Sequence, residues 1–345
     1  MGVRVLDSRE AGTAVWPSVS IVFLVHNRRE ELRVSLRRML SDSRYDRERV
    51  DVIVVDNAST DGSRTMVAED FPDAQLIVRE ENAGVSGWND GFSAARGDYV
   101  LALDDDCYLP PDGLAQAIAA AEERDADLVS FAVTRPDDPE YRFNHGYRTG
   151  LLSFWGCAVL MRRPVLERLR GYDPDIFVWA NELEFMLRFF DAGFRHLHLP
   201  EVVAVHMKDT SGHWTDFYSS RAYRINARHF GYVAAKLLRP RDAVEALLAR
   251  LAVHLRDAAR TDRAALKAVP HCVRGFLHGL RRRAPVENAA LSRAYRRNFE
   301  SFASPWWLSR PVAQVVRGVP GPGRRDDYYA ERRRYYPGAA ATLEF

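Results

Sequence analysis

The fold of this 345-residue chain is decided by residues 99–106, Tyr-Val-Leu-Ala-Leu-Asp-Asp-Asp. The first part of this stretch is apolar without interruption, which is typical of a parallel strand buried on both faces. It then ends abruptly in the carboxylates of Asp104, Asp105 and Asp106. Three neighbouring negative charges repel one another unless solvent or a cation offsets them. An acidic triplet alone is as well explained by a solvated loop, but its position directly after a buried strand favours a cation site.

The sequence around this strand alternates apolar runs of strand length with amphipathic helical stretches, a pattern typical of an α/β layer structure with a mainly parallel sheet. The predicted strands are Val19–Val25, Val52–Val55, Gln75–Val78, Tyr99–Leu103, Asp127–Val133, Leu151–Met161 and Val202–Val205. The predicted helices are Glu30–Leu40, Asp61–Glu69, Val85–Ala95, Leu114–Glu123 and Asn181–Ala192, the last with Asn181 as its cap. We therefore predict one α/β domain over residues 1–215.

Residues 216–345 are predicted to form a basic, mostly helical region that ends in a loose tail. Helical periodicity runs through Trp214–Arg283, and one predicted apolar face carries Val244, Leu247, Leu248, Leu251 and Leu255. The net charge is only +2, yet residues 207–345 hold 26 Lys and Arg against 12 Asp and Glu. The acidic part of the chain before residue 207 is suited to binding a cation, and the basic part after it is suited to contact with an anionic surface.

This basic back has two interpretations that the sequence leaves open. Arg281–Arg283, Trp306-Trp307 and Arg332–Arg334 would suit peripheral contact with an anionic membrane. A solvated face is the alternative. Nucleic-acid binding is not expected, because the basic residues are not accompanied by a known nucleic-acid-recognition motif.

The cysteines and the termini indicate where the chain works. Cys107, Cys157 and Cys272 are far apart in sequence and lack the C-x-x-C pairing of metal sites, so a reducing cytosol fits best. Residues 1–17 lack the layout of a signal peptide, and no stretch reads as membrane-spanning. We expect a cytoplasmic protein, with peripheral contact at the inner face of the plasma membrane as the open addition.

Polar residues follow four of the predicted strands at the point where each strand ends. In open parallel sheets, ligands bind beyond the carboxyl ends of the strands, so we expect these residues to form one site. They are His26–Arg28, Asp56–Ser63, Asp104–Asp106 and His206. An ordinary strand-to-helix turn would also explain Asp56 and Asn57, and His206 alone would more often be structural.

Together these segments resemble the inverting glycosyltransferases of family 2, which have the GT-A fold, and in particular the rhamnosyltransferase-like members. Ser20–Arg28 resembles the family's opening strand, with His26 where Tyr is usual, and Val52–Ser63 is similar to its nucleoside-binding turn. Further similar segments follow in the family's order. They are Asn82–Gly91, Gly97–Asp106, Gly156–Arg163, Gly171–Asp173 and Tyr223–Asn226.

The resemblance implies a role for each candidate site residue. Donor binding falls to His26, Arg28, Asp56, Asn57, Asn82, Gly84, Asn89, Asp104 and Asp105. Asp106 and His206 would hold Mn²⁺ or Mg²⁺. Within the acidic triplet, Asp104 would contact the ribose or a metal-bound water, and Asp105 would mainly shape the turn.

In the family, a Glu-Asp pair opens the helix that corresponds to Asn181–Ala192, and its second carboxylate is the catalytic base. The corresponding pair here is Asn181-Glu182, so the resemblance implies that Glu182 is the base and that Asn181 replaces the first acid. A helix N-terminus stabilises the charged carboxylate and so weakens it as a base. We expect apolar neighbours such as Trp179 and Phe185 to counter this by desolvation. Glu184 is the alternative base.

The implied reaction is single displacement with inversion, from a UDP- or TDP-sugar to a hydroxyl of a glycan, a lipid-linked intermediate or a small molecule. Cell-envelope glycan and secondary-metabolite synthesis both fit, and rhamnosyl, galactosyl and arabinofuranosyl transfer all remain open. Two other classes are weighed. A nucleotidyltransferase making nucleotide sugars would carry a glycine-rich basic loop where this chain has His26–Glu30. A non-catalytic nucleotide-sugar-binding protein is suggested by the departures at His26 and Asn181.

Overall fold

The structure is a computed structural model that describes residues 16–142, 147, 149–207, 221–260 and 263–298. Several sequence predictions lie outside these residues. They are the predictions for residues 1–15, the boundary at residue 215, the start of the helical stretch at Trp214, the Trp306-Trp307 pair, Arg332–Arg334 and the tail.

Eight strands form a single mixed sheet in the order β3-β2-β1-β4-β7-β6-β8-β5. The strands are β1 Val19–Val25, β2 Val50–Asp56, β3 Gln75–Val78, β4 Tyr99–Asp104, β5 Cys107–Tyr108, β6 Leu128–Thr134, β7 Ala158–Arg162 and β8 His196–His206. The first four strands pair in parallel, as do β6 and β8. Strand β7 runs antiparallel to both β4 and β6, and β5 runs antiparallel to β8. The expected parallel sheet is therefore present at β3-β2-β1-β4, and antiparallel pairs extend it.

Helices cover both faces of this sheet and continue beyond it. They are α1 Arg29–Arg37, α2 Ser63–Asp70, α3 Trp88–Ala94, α4 Gly113–Glu123, α5 Arg163–Leu169, α6 Asn181–Asp191, α7 Arg221–Leu237, α8 Pro240–Arg260, α9 Ala268–Arg281 and α10 Ala289–Asn298. Alternate residues of β1 serve the two layers: Ile21 and Phe23 pack with α1, α2 and α4, whereas Val22 packs with α3 and α6. Burial on both faces explains why the strands are continuously apolar.

Two predicted strands differ in extent from the observed ones. Leu151–Met161 was predicted as one strand, but β7 begins only at Ala158, and the residues before it form a loop. The last strand, predicted at Val202–Val205, extends over His196–His206 because it pairs with β6 along most of its length and with β5 at its end. Apolar periodicity does not reveal such pairing partners.

The helices after β8 dock onto the sheet domain through α7. Helices α7 and α9 touch through their backbones, since a Cβ added at Gly275 would lie 1.8 Å from the Arg228 carbonyl oxygen. Lys236 of α7 pairs with the buried carboxylates of Asp173 and Glu184, the second of which belongs to α6. The apolar face predicted for α8 is only partly buried, because Val244, Leu248 and Leu255 are exposed. Across the described residues, no helix combines the length and the apolar character needed to cross a membrane.

Candidate active site

The acidic turn after β4 meets the end of β8 through the short strand β5. Cys107 of β5 pairs with His206 of β8, and the Met207 amide donates to the Asp106 carbonyl at 2.8 Å. Nε2 of His206 consequently lies 3.0 Å from Oδ1 of Asp106 and 3.9 Å from Oδ2 of Asp104. His206, which is distant in sequence, therefore forms one cluster with Asp104 and Asp106.

This cluster has the composition and the spacing of a divalent-cation site. Asp104, Asp106 and His206 each offer one ligand atom, and these atoms lie within 4.8 Å of one another. Carboxylate oxygen suits Mg²⁺ and Mn²⁺, and an imidazole nitrogen is a ligand that the harder Mg²⁺ takes less readily. Two carboxylates and one imidazole therefore fit a divalent cation.

The end of β1 closes one side of the acidic turn. The Arg28 guanidinium pairs with Asp106 and lies 3.5 Å from Oδ1 of Asp105, and the His26 amide donates to Asp105 at 3.4 Å. Burial raises the pKa of Asp105 well above its ordinary value; Arg28 opposes this, and the neighbouring Asp106 and Asp104 add to it. Asp105 thus faces Arg28 and the β1 end, which agrees with a role in shaping the turn.

The end of β2 is tied to the loop that precedes α3. Asn57 donates from Nδ2 to Asn82 Oδ1 and to the Gly84 carbonyl, both at 3.0 Å, and its own Oδ1 accepts from the Ala83 amide at 2.9 Å. The His26 ring lies 2.9 Å from the Asn57 carbonyl oxygen. The predicted donor-binding residues of these loops are therefore neighbours in space.

Asp56 and Asn89 make internal contacts that the sequence did not indicate. The Asp56 carboxylate is fully buried, accepts from the Ser59 amide at 3.1 Å and pairs with Arg64. The Asn89 amide donates to the Tyr172 carbonyl and accepts from the Tyr172 amide, each at 2.8 Å. Asp56 thus shapes the turn after β2, and Asn89 holds the turn after α5. Little in the sequence indicated that Arg64 would pair with Asp56, since it showed only a basic residue in the first turn of α2.

Glu182 lies in the first turn of α6, with its carboxylate against Gly156. A Cβ added at Gly156 would come within 2.2 Å of Glu182 Oε1. Burial raises the pKa of Glu182 from 4.5 to about 7, hydrogen bonds from its own backbone and from Asn181 oppose the rise, and Asp104 adds to it. Desolvation therefore raises the pKa of Glu182 by more than the helix N-terminus lowers it, as expected for a general base.

The start of α6 differs in detail from the expected one. Asn181 is the first helical residue rather than the cap, and the cap is Ala180 in a left-handed conformation. Trp179 also has a positive φ, of 60°, and its side chain is 40% exposed. Phe185, the other expected neighbour, is fully buried.

Glu184, the alternative base, is committed elsewhere. Its carboxylate is fully buried, accepts two hydrogen bonds from Arg188 at 2.8 and 2.6 Å, and lies 2.9 Å from Lys236 Nζ. Both of its oxygens are therefore bound by neighbours within the fold. Glu182 remains the candidate.

Two of the cysteines are neighbours although they are distant in sequence. The sulfur atoms of Cys107 and Cys157 lie 3.7 Å apart, and both thiols are free and buried. Burial raises the pKa of each thiol, so neither is a reactive thiolate. Because Cys107 follows Asp106 and Cys157 follows Gly156, this contact joins the end of the acidic turn to the loop at Gly156.

Comparison with known proteins gives this geometry a context. The profile of the family described as glycosyl transferase family 2 matches residues 20–195, about half of the chain. An undecaprenyl-phosphate 4-deoxy-4-formamido-L-arabinose transferase of Proteus mirabilis is 34% identical over 110 residues, covering 30% of this chain and 34% of that protein. The glycosyltransferase AglE of Haloferax volcanii is 28% identical over 210 residues, covering 56% and 68%. The chain thus spans only about a third of the first of these relatives.

A solved structure extends the likeness over nearly the whole chain. The mannosyltransferase PcManGT of Pyrobaculum calidifontis, solved with GDP-Man and Mn²⁺, superposes with a TM-score of 0.54 at 23% identity, covering 95% of this chain and 84% of that one. At this identity the likeness shows the fold, which is the GT-A fold expected from the sequence. With the family profile, the mixed sheet and the strand-end site in agreement, the chain belongs to glycosyl transferase family 2.

Proposed function

We propose that this protein transfers a sugar from a nucleoside-diphosphate sugar to an acceptor hydroxyl, with a divalent cation at Asp104, Asp106 and His206 and with inversion at the anomeric carbon. One observation carries the proposal. The half-buried Glu182 lies close enough to the cation cluster for the charge of Asp104 to act on its carboxylate. A base and a centre for charge neutralisation in one site are what a single displacement needs.

The residues divide the reaction between them. Glu182 accepts the proton of the acceptor hydroxyl as its oxygen attacks the anomeric carbon, and the nucleoside diphosphate departs from the opposite face. A divalent cation bound at the cluster supplies charge neutralisation for the departing diphosphate. Arg28, which already pairs with the acidic turn, lies where it adds positive charge to the same group. The loops around Asn57 and Asn82 hold the nucleoside.

The relatives bear on the substrates. The Proteus mirabilis relative is named for an undecaprenyl-phosphate acceptor, and the mannosyltransferase structure holds GDP-Man and Mn²⁺. We infer a nucleotide-sugar donor and Mn²⁺, with UDP- and TDP-sugars as the expected donors and GDP-sugars added to the set to test. The rhamnosyltransferase-like subgroup and a role in cell-envelope glycan or secondary-metabolite synthesis are part of the same proposal.

A thermal-shift screen tests the donor first. UDP-, TDP- and GDP-sugars are added with and without Mn²⁺, because a ligand that binds only the folded chain raises its stability. The best donor is then assayed for hydrolysis with Mn²⁺. The proposal predicts slow hydrolysis that Asp106→Asn abolishes, with the exposed Asp137→Asn as the matched control.

The two rival classes predict different outcomes. Binding without hydrolysis or transfer would assign the chain as a non-catalytic binder. Formation of a nucleotide sugar from a nucleoside triphosphate and a sugar phosphate would assign it as a nucleotidyltransferase. Either result would overturn the proposal.

Peripheral contact with an anionic membrane is the proposal's second part. It is supported by a basic cluster on α7 and α9, where Arg224, Arg228 and Arg274 all act on His271 and lower its pKa, after the larger effect of its burial. The exposed Leu277 lies one turn along from Arg274 on α9. Of the arginines expected from the sequence, Arg283 is used instead to bind carbonyls at the end of α7.

Sedimentation with vesicles tests this contact. An Arg228→Glu, Arg274→Glu variant is expected to lose binding to phosphatidylglycerol vesicles at low salt, whereas Arg241→Glu on α8 should retain it. No binding of the unaltered protein at low salt would refute the membrane contact and leave the transferase proposal standing.

A further inference from the structure

Two aromatic rings stand in solvent beside the proposed base. Within the described part of the chain, Trp16, Phe177 and Trp179 are the exposed aromatic side chains, at 41%, 41% and 40%. Trp16 precedes β1 at the amino end of the sheet, whereas the other two lie in the loop that leads into α6. The other rings near Glu182, those of Tyr172 and Phe185, are buried. Two of these three exposed rings therefore lie in the loop that leads into the helix carrying Glu182.

The loop that carries these rings is firmly held. The Phe177 carbonyl accepts from the Val85 amide at 2.8 Å, and His229 of α7 donates from Nδ1 to the Val178 carbonyl at 2.8 Å. Ile176, just before, is fully buried. The exposure of the two rings is thus a fixed feature of the loop.

The backbone beneath the rings is strained. Trp179 and Ala180 have φ values of 60° and 63°, in the left-handed region that disfavours residues with a Cβ. Two consecutive residues in this region, with apolar rings held in water, lower the stability of the free protein. Such features persist where they serve a ligand.

The loop also adjoins the donor side of the site. A Cβ added at Gly84 would lie 1.9 Å from the Phe177 carbonyl oxygen, so the loop that Asn57 holds touches the aromatic loop directly. Glu182 follows Trp179 by three residues. The aromatic loop therefore connects the donor-side loop at Gly84 to the helix turn that carries Glu182.

We propose that Phe177 and Trp179 form the acceptor platform and that the acceptor presents the C–H face of a sugar ring to them, with a neutral hydroxyl directed at Glu182. Aromatic faces carry partial negative charge and pack well on the slightly positive C–H faces of sugars. This inference rests on the proposed transferase function and names its acceptor class.

The chemistry at Glu182 favours a hydroxyl over a phosphate as the attacking group. A hydroxyl must lose a proton to a base as it attacks, whereas a phosphate oxygen is already anionic near neutral pH and needs none. The Glu182 carboxylate itself would repel an acceptor phosphate placed beside it, whereas a neutral hydroxyl can donate a hydrogen bond to it.

Saturation-transfer NMR with methyl glycosides of common hexoses and pentoses tests the platform. The glycosides are added to protein loaded with Mg²⁺ and the nucleoside diphosphate that stabilises it most. We expect saturation of ring C–H protons, and roughly ten-fold weaker binding in Trp179→Ala and in Phe177→Ala. Trp179→Phe should keep most of the binding, and Trp16→Ala, with an equally exposed ring at the other edge, should keep all of it.

The outcomes separate this inference from the proposed function. If no glycoside binds, or if Trp179→Ala binds as well as the unaltered protein, the platform is refuted while nucleotide binding still supports a transferase. Farnesyl phosphate, which has no sugar ring, is the competing probe. If it binds in place of the glycosides and depends on Trp179, the rings serve a lipid chain and the inference is overturned. Failure of the nucleoside diphosphate to bind would count against the proposed function itself.

Discussion

Replacing Glu182 by Gln is expected to abolish transfer and, at the same time, to stabilise the fold. The carboxylate lies in the first turn of α6 against Gly156, where burial disfavours its charge. A neutral amide of the same shape fits that position without the charge. Because it cannot accept the acceptor's proton, the rate should fall by about a hundred-fold or more.

The size of the stabilisation follows from the pKa. Burial raises the pKa of Glu182 from 4.5 to about 7, so the folded chain holds this proton more tightly than the unfolded chain. The stability that the protonated group contributes is therefore lost as the pH rises from 4.5 through about 7. Ionising the buried carboxyl costs up to about 3 kcal/mol near pH ~8 but only about 1 kcal/mol near pH ~5. Since Glu182 keeps some solvent contact, we expect a gain of about 1–3 kcal/mol at the higher pH.

Urea unfolding at these two pH values measures the effect. The gain of Glu182→Gln should be clearly larger near pH ~8 than near pH ~5. Glu167→Gln on α5 is the matched control, because its side chain is 57% exposed and its stability should change by less than about 0.5 kcal/mol. A loss of stability near pH ~8, or a gain that does not depend on pH, would refute the reasoning.

Four further outcomes are expected. Gly156→Ala should displace the Glu182 carboxylate, because the new Cβ would lie 2.2 Å from its Oε1. We expect kcat to fall about ten-fold or more with little change in melting temperature. An unchanged kcat would contradict the close contact between Gly156 and Glu182. Lys236→Met should destabilise the chain by about 3–5 kcal/mol in urea unfolding, because the buried Asp173 carboxylate loses its cation and the buried Glu184 carboxylate loses one of its two. His206→Ala should raise the Mn²⁺ concentration needed for half-maximal donor hydrolysis at least about ten-fold, and unaltered metal dependence would remove His206 from the site. Burial lowers the pKa of His196 to about 3 and of His198 to about 4. The stability that these neutral rings contribute above pH 6.5 should therefore fall as the pH drops toward those values, by about 1–2 kcal/mol each near pH ~5. If His198→Gln loses stability at acid pH as steeply as the unaltered protein, this reasoning is contradicted.

Much of the site was predictable because it is assembled at strand ends. A parallel sheet places the residues after β1, β2 and β4 at one edge whatever the loops do, so Arg28, Asn57 and Asp106 were expected to meet. The buried environment of Glu182 was expected only as a way to reconcile a base with a helix N-terminus. Its partner Gly156 lies in the loop before β7, which apolar periodicity mistook for part of a strand.

Several contacts that the sequence did not reveal depend on pairing between distant segments. The two-residue strand β5 is too short to give a periodic signal, yet its pairing with β8 brings His206 to Asp106 and sets the distance between them. The same limitation hid the neighbouring sulfur atoms of Cys107 and Cys157. Short and antiparallel pairings carry no local pattern, because the partner supplies the hydrogen bonds.

The sequence by itself determined the alternation of strands and helices, the acidic turn at Asp104–Asp106 and the resemblance to family 2. These follow from local chemistry, since apolar runs, caps and charges act over a few residues. Only the tertiary structure decided that the Glu184 carboxylate is bound by Arg188 and Lys236, whereas the Glu182 carboxylate lies against Gly156. It alone placed the ring of Trp179 in solvent on a strained backbone. Burial, ion pairing and exposure depend on what the rest of the chain packs against each residue, and that is settled only when the chain folds.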